Sequence, residues 1–319
     1  MRPKTKLFLL FITLPLVFMV SIMMGRYPLN IPPSDDVAHF VLMNIRIPRV
    51  LLAVIAGSCL SVAGAILQSV LRNPLASPYI LGVTQATAFG AALAMYLMLP
   101  SALIIFSSFI FGLIATLLVL LLSRVRGFLS PVTVILSGIV VGAIFTTMLS
   151  AVQYMIDPWR LQGIVFWLMG SFGRASWDIL AWTMPISLIA LSSAHAMRWR
   201  LNILSLGDEE ARMLGARVQM ERALLIALSA LMCATVTSVS GIVAFIGLIA
   251  PHMARALVGP DARLLVPASA ALGGVIMMIA DDVCRTPFSF EIPLSIVTTL
   301  VAAPYFIYLL RRMGGEWRG

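Results

Sequence analysis

The chain has 319 residues, of which 61% are hydrophobic and 11% are charged. A soluble domain carries roughly 25% charged and 45–50% apolar residues, so this composition excludes an ordinary water-soluble fold and calls for lipid around the outer faces. The formal charge of +9 does not point to nucleic acid, because the basic residues stand singly or in pairs between apolar runs and form no stripe.

A membrane-crossing helix needs about 20 apolar residues. In chain order such runs fall at about 7–24, 50–71, 80–99, 102–123, 131–155, 178–198, 221–240, 242–259, 264–282 and 292–310. This predicts an all-α polytopic membrane protein with about ten transmembrane helices, in one domain spanning 1–319. The first run follows Arg2, Lys4 and Lys6 and resembles a signal peptide. It is longer than a signal core and lacks a clear A-x-A site, so an uncleaved first span is expected. Leu161–Phe172 is apolar but too short to cross. Its flanking Pro158 and Gly173 predict a short interfacial or re-entrant helix.

Basic residues set the expected orientation. With the N-terminus in the cytoplasm, 16 of the 22 Lys and Arg residues face inside and both termini are cytoplasmic. The six outside are Arg26, Arg46, Arg49, Arg160, Arg174 and Arg285.

Several chemistries lack their residues. Cys59, Cys233 and Cys284 are far apart and read as packing residues, with no zinc or redox spacing. There is no GxxxxGK[ST] loop, so an ATP-driven process would need its ATPase on another chain. No HExxH, GxSxG or paired-carboxylate motif supports an intramembrane enzyme. Acidic residues fall in loops or near span ends, which disfavours proton coupling. An ion-coupled secondary transporter stays the alternative, since sodium sites can use carbonyls and hydroxyls.

Four features remain. In LNILSLGDEEARMLG (Leu201–Gly215), Asp208, Glu209 and Glu210 would open a short helix at its positive end. Arg212 lies at i+4 from Asp208, and Gly215 suits the position after the helix. Leu204, Leu206, Met213 and Leu214 give this helix an apolar side, to be covered by a partner, its own bundle or lipid. RNPLASPYILG (Arg72–Gly82) reads as a tight turn. In the fifth span Gly138, Gly142, Thr146, Ser150 and Tyr154 share one face, suited either to helix packing or to lining a pathway. His252 and Arg255 follow Pro251 by one turn. No further ligand spacing accompanies His252, so a hydrogen bond near a helix end is expected there.

Together with GIVAFIGLIAPHMAR (Gly241–Arg255) and EIPLSIVTTLVAAPYFIYLL (Glu291–Leu310), the turn and the short helix occur in order and at appropriate spacing. From about Arg46 to Arg312 the chain resembles the FecCD family of ABC permeases, importers of iron–siderophores, haem and cobalamin. The resemblance implies a ten-helix, type II importer bundle like the cobalamin importer permease, in the inner membrane. It implies a second permease copy, as homodimer or heterodimer, and two ATPase subunits that use ATP and Mg while this chain binds no cofactor. It also implies a periplasmic or lipid-anchored binding protein, and an iron–siderophore or similar chelate as cargo. Leu206, Gly207, Asp208, Glu209, Ala211, Leu214 and Gly215 would form the coupling helix against the ATPase. Arg46 and Arg49, in R-x-P-R form, and Arg285 would receive acidic residues of the binding protein. The alternatives for these arginines are interfacial anchoring or internal pairing, because Asp281 and Asp282 lie near and Arg285 is at i+4 from Asp281. Gly142, Thr146, Ser150, Ser295, Thr298 and Thr299 would line the route.

Overall fold

The computed structural model describes residues 2–27, 35–125 and 127–313; Arg126 and Arg318, expected on the inside, lie outside them. Within the described residues the helices run α1 Pro3–Met23, α2 Asp36–Phe40, α3 Ile47–Val70, α4 Val83–Tyr96, α5 Ser101–Leu122, α6 Pro131–Met155 and α7 Pro158–Met169. They continue as α8 Trp177–Ala196, α9 Arg198–Leu206, α10 Asp208–Met213, α11 Val218–Ser240, α12 Ile246–Val258, α13 Ala262–Arg285 and α14 Leu294–Met313. Seven helical stretches are long and apolar enough to cross a membrane: α1, the run Asp36–Val70, α5, α6, α8, α11 and α13. The expected spans at 80–99 and 242–259 are the shorter helices α4 and α12, and that at 292–310 falls on α14, apolar over Leu294–Tyr305.

Three details depart from the expected pattern. Helix begins at Asp36 instead of near residue 50, because Asp35 caps it by accepting the Ala38 N–H at 2.8 Å. A π-helical segment, Val41–Arg46, then joins α2 to α3. The change of hydrogen-bond register falls next to Pro48, which has no N–H to donate to the preceding turn. Arg124–Val125 and Phe128–Leu129 form a two-residue antiparallel strand pair, β1 and β2, beside the mouth of α11. The short apolar stretch expected near 161–172 is α7, which ends at Gly170 with φ +76°.

Helix α3 is the core. It is apolar on every side, and 20 of its 24 residues are buried, mainly against α11, α12 and α13. Lipid gives no hydrophobic reason for helices to associate, so close backbone approach must supply the contact energy. Glycines provide it here. A Cβ on Gly57 would stand 2.1 Å from the Gly273 carbonyl oxygen of α13, and one on Gly64 only 1.6 Å from that of Gly247 in α12. By contrast α1, α5, α6 and α8 bury a minority of their surface in this chain and turn apolar side chains outward.

Replacing Gly64 by Ala should therefore force α3 and α12 apart, at about 1–3 kcal/mol or more. The loss should appear as a lower melting temperature in detergent. Gly163→Ala in α7, where a Cβ meets nothing within 4 Å, should leave melting unchanged.

Candidate functional site

Charge collects at the two ends of α3. At the Val70 end the stretch Leu201–Gly215 forms α9 and α10, hinged at Gly207 with φ 139°. Helix α10 closes as the sequence predicts. Gly215 takes φ +78°, its N–H reaches the Arg212 carbonyl at 3.0 Å, and the Ala216 N–H reaches the Ala211 carbonyl at 2.9 Å. Ala211 and Gly207 face inward, whereas Leu206, Glu209, Glu210, Met213, Leu214 and Gly215 are exposed. Leu204, expected on the same apolar side, is instead buried.

The orientation of α10 is held by a residue the sequence alone did not single out. Arg222 of α11 is fully buried. It donates to the Leu129 carbonyl of β2 at 2.6 Å and to both Asp208 carboxylate oxygens, at 2.6 and 3.0 Å. Arg72, just past α3, adds a weaker contact at 3.5 Å. Hydrogen bonding from Arg222 lowers the Asp208 pKa below the ordinary carboxylate value. The anchor is thus present at neutral pH and is lost only as pH falls through that lowered value. The i+4 contact expected between Asp208 and Arg212 is replaced: a buried guanidinium needs the anion more than an exposed one does, and Arg212 lies over the Phe128 ring at 5.9 Å. Asp208 therefore points into the bundle, not away from it.

At the other end, Arg46 closes the π segment, Arg49 sits in the first turn of α3 and Arg285 ends α13. All three are buried, in place of the exposed arginines expected from the sequence. Arg49 grips Asp281 with Nε at 2.9 Å and Nη2 at 2.8 Å, and its Nη2 also contacts Glu291. Arg285 donates to Asp282 at 2.5 Å and to the carbonyls of Ser21 and Met24, at 2.5 and 2.9 Å. Its Nε lies 3.4 Å from Asp281. Ser21 of α1 also donates to Asp282, at 2.6 Å. Arg46 donates to the carbonyls of Ile22, Met23 and Tyr27; among the described residues it meets no carboxylate. The internal pairing raised for Arg285 is present, with both aspartates. The partners Ser21 and Glu291 carried no local sequence signal, since they are distant along the chain.

The expected pathway residues separate into two groups. Gly138 and Gly142 pack α6 on the Ile80–Gly82 backbone, where a Cβ on Gly138 would lie 2.2 Å from the Ile80 carbonyl oxygen. Thr146 and Ser150 are exposed on α6, each donating to the carbonyl four residues back, at 2.8 and 3.0 Å. On α14, Thr298 is buried and donates to the Ser295 carbonyl at 3.3 Å, while Ser295 and Thr299 are half-buried. Helix α6 packs on α4 and α5, and α14 packs on α7, α12 and α13, so the two hydroxyl groups belong to different parts of the bundle. A cavity of about 480 Å³ lies where helix is interrupted, at Gly241–Phe245, and is lined by Tyr79, Thr84, Cys233 and Thr237 among others. The His252 ring sits 6.1 Å from that of Tyr305. Among the described residues no three His, Cys, Asp or Glu side chains converge on a metal-sized site.

Comparison with known proteins adds to this geometry. The profile of the FecCD transport family matches residues 6–312. The chain is 36% identical to the molybdate import system permease protein MolB of Haemophilus influenzae, covering 97% of this chain and 96% of that protein. It is 34% identical to the hemin transport system permease protein HmuU of Yersinia pestis, covering 100% and 98%. A solved metal-chelate type ABC transporter in an inward-facing conformation superposes with a TM-score of 0.90 at 37% identity, covering 96% of this chain and 98% of the other. With a match along nearly its whole length and permeases as its relatives, this chain belongs to the FecCD family of ABC importer permeases.

Proposed function

We propose that this chain is the translocating subunit of a binding-protein-dependent importer of a metal chelate, with iron–siderophore the first candidate. It would cross the inner membrane ten times as a single domain, with both termini in the cytoplasm, and pair with a second permease copy. Two ATPase subunits would bind at α10, where they would use ATP and Mg. A soluble binding protein would dock at the arginine end. The observation that carries this reading is the full-length family match joined to an anchored helix α10 whose outer side exposes Leu206, Met213 and Leu214. An apolar side held in place by an ion pair to a buried arginine suits a rigid partner groove. At the other end Arg46, unmatched by any described carboxylate, suits an acidic surface.

The shorter helices α4 and α12 fit the ten-crossing reading where a broken helix lines a cavity. Thr146 and Ser150 on the exposed face of α6 would line the route against the second copy, with Ser295, Thr298 and Thr299 of α14. A second cargo, molybdate or a similar oxyanion, is favoured by the MolB likeness. Titrating the binding protein with candidate chelates and with molybdate decides between them.

Reconstituted with its ATPase, the permease should take up cargo only when ATP is hydrolysed; full uptake on an ion gradient alone would overturn the importer reading. Leu214→Asp should weaken ATPase binding about tenfold or more, because burying one leucine contributes about 1.5–3 kcal/mol. Co-purification of the ATPase measures it. Arg46→Gln should weaken binding-protein docking about tenfold while the ATPase still co-purifies, and Arg49→Gln should weaken docking and also lower the melting temperature, because it takes from buried Asp281 its main partner. A variant that assembles and docks like the parent sinks the docking assignment.

A further inference from the structure

Arg49 has two carboxylate partners of different character. Asp281 is 2% exposed and takes both Nε and Nη2 from the inner side. Glu291 approaches Nη2 from the outer side, in the segment between α13 and α14, with its side chain 33% exposed. The same Glu291 oxygen accepts the Ser171 hydroxyl at 2.9 Å. A shallow cleft of about 230 Å³ opens directly over this contact. Its lining brings together Arg26, Arg46, Arg49 and Arg285 with a single carboxylate, that of Glu291. Nη1 of Arg49 makes no hydrogen bond to a described residue, so the guanidinium keeps a free donor group.

We propose that Glu291 holds the place of a partner carboxylate, and that docking at the arginine end proceeds by exchange of that carboxylate for Glu291 on Arg49. This rests on the docking reading above and adds a competing residue within the chain itself. Asp281 keeps the guanidinium fixed during the exchange, because its ion pair is sealed from water and costly to break. Glu291 can leave: its charge is partly solvated, and its segment stays attached by the Ile292 N–H to the Cys284 carbonyl and the Leu294 N–H to the Gly170 carbonyl, each 2.9 Å. The incoming group is a carboxylate on a soluble partner, since a cleft with four guanidinium groups and one anion disfavours a cation or an apolar side chain. Without a partner, Glu291 spares the membrane protein an unpaired Arg49 donor face.

The test is titration of the binding protein against the permease–ATPase complex in nanodiscs. Glu291→Gln keeps the shape and an acceptor for Ser171 but removes the competing charge, and it should tighten docking about five- to tenfold. Ser171→Ala removes one of the two bonds that hold Glu291 and should tighten docking about twofold. If Arg46→Gln or Arg49→Gln weakens docking while both of these variants bind like the parent or more weakly, the exchange is overturned and the docking site stands. Arginine variants that assemble and dock unchanged overturn both. Should Glu291→Gln fail to assemble with the ATPase, Ser171→Ala alone decides, tighter docking supporting the exchange and unchanged or weaker docking ending it.

Discussion

Hydrocarbon offers neither a hydrogen bond nor a counter-charge, so a charge that this chain buries is stabilised by partners within the chain. Arg222, with no exposure at all, places its two terminal nitrogens against Asp208 on one side and the Leu129 carbonyl on the other, and only its Nε is left without a partner among the described residues. The same demand gathers Ser21, Arg49, Arg285, Asp281 and Asp282 into one knot joining α1, α3 and α13. It also explains how the chain tolerates unwound backbone at Gly241–Phe245. That segment borders a cavity, and the neighbouring Ser240 carbonyl is taken by the Ser171 N–H at 2.8 Å.

The two charged ends are not independent, because α3 reaches both. It carries Arg49 in its first turn, and Arg72 follows its last turn to stand 3.5 Å from Asp208. Between these points its glycines lock it against α12 and α13 with no room for a Cβ. A close-packed rod of this kind transmits displacement poorly as bending and well as a rigid shift. A permease in which one face meets a nucleotide-driven subunit and the other a binding protein, as proposed, would use such a rod as its axis.

Apolar run length alone makes the membrane class and most of the helices legible. Run length marks where lipid is crossed, however, and not where helix begins, so the start at Asp36 depends on a cap and a π segment that no hydropathy window registers. Helix α10 is legible in nearly every local detail, from its acidic first turn to Gly215, because those signals are local in sequence. Its anchor is not, as Arg222 lies 14 residues from Asp208 on another helix. The arginine end is hidden in the same way. Arg46, Arg49 and Arg285 stand out as misplaced cations, but Arg49 meets an aspartate 232 residues away and Arg285 a carbonyl 264 residues away. Position in sequence identifies which residues are unusual; only the packing of α1 and α13 on α3 shows what each one touches.

The π segment Val41–Arg46 has one more consequence. An inserted residue in a helix rotates everything upstream by about 100° relative to everything downstream. Here the join falls between a mostly exposed lead-in, Asp36–Phe40, and the buried body of α3. A single-residue change of length within Val41–Arg46 would therefore swing Asp36–Phe40 around the bundle by about a quarter turn or more while α3 kept its glycine contacts. Length in this segment sets both the direction in which Asp36–Phe40 leaves the bundle and the placing of Leu42 and Arg46, which are buried against it.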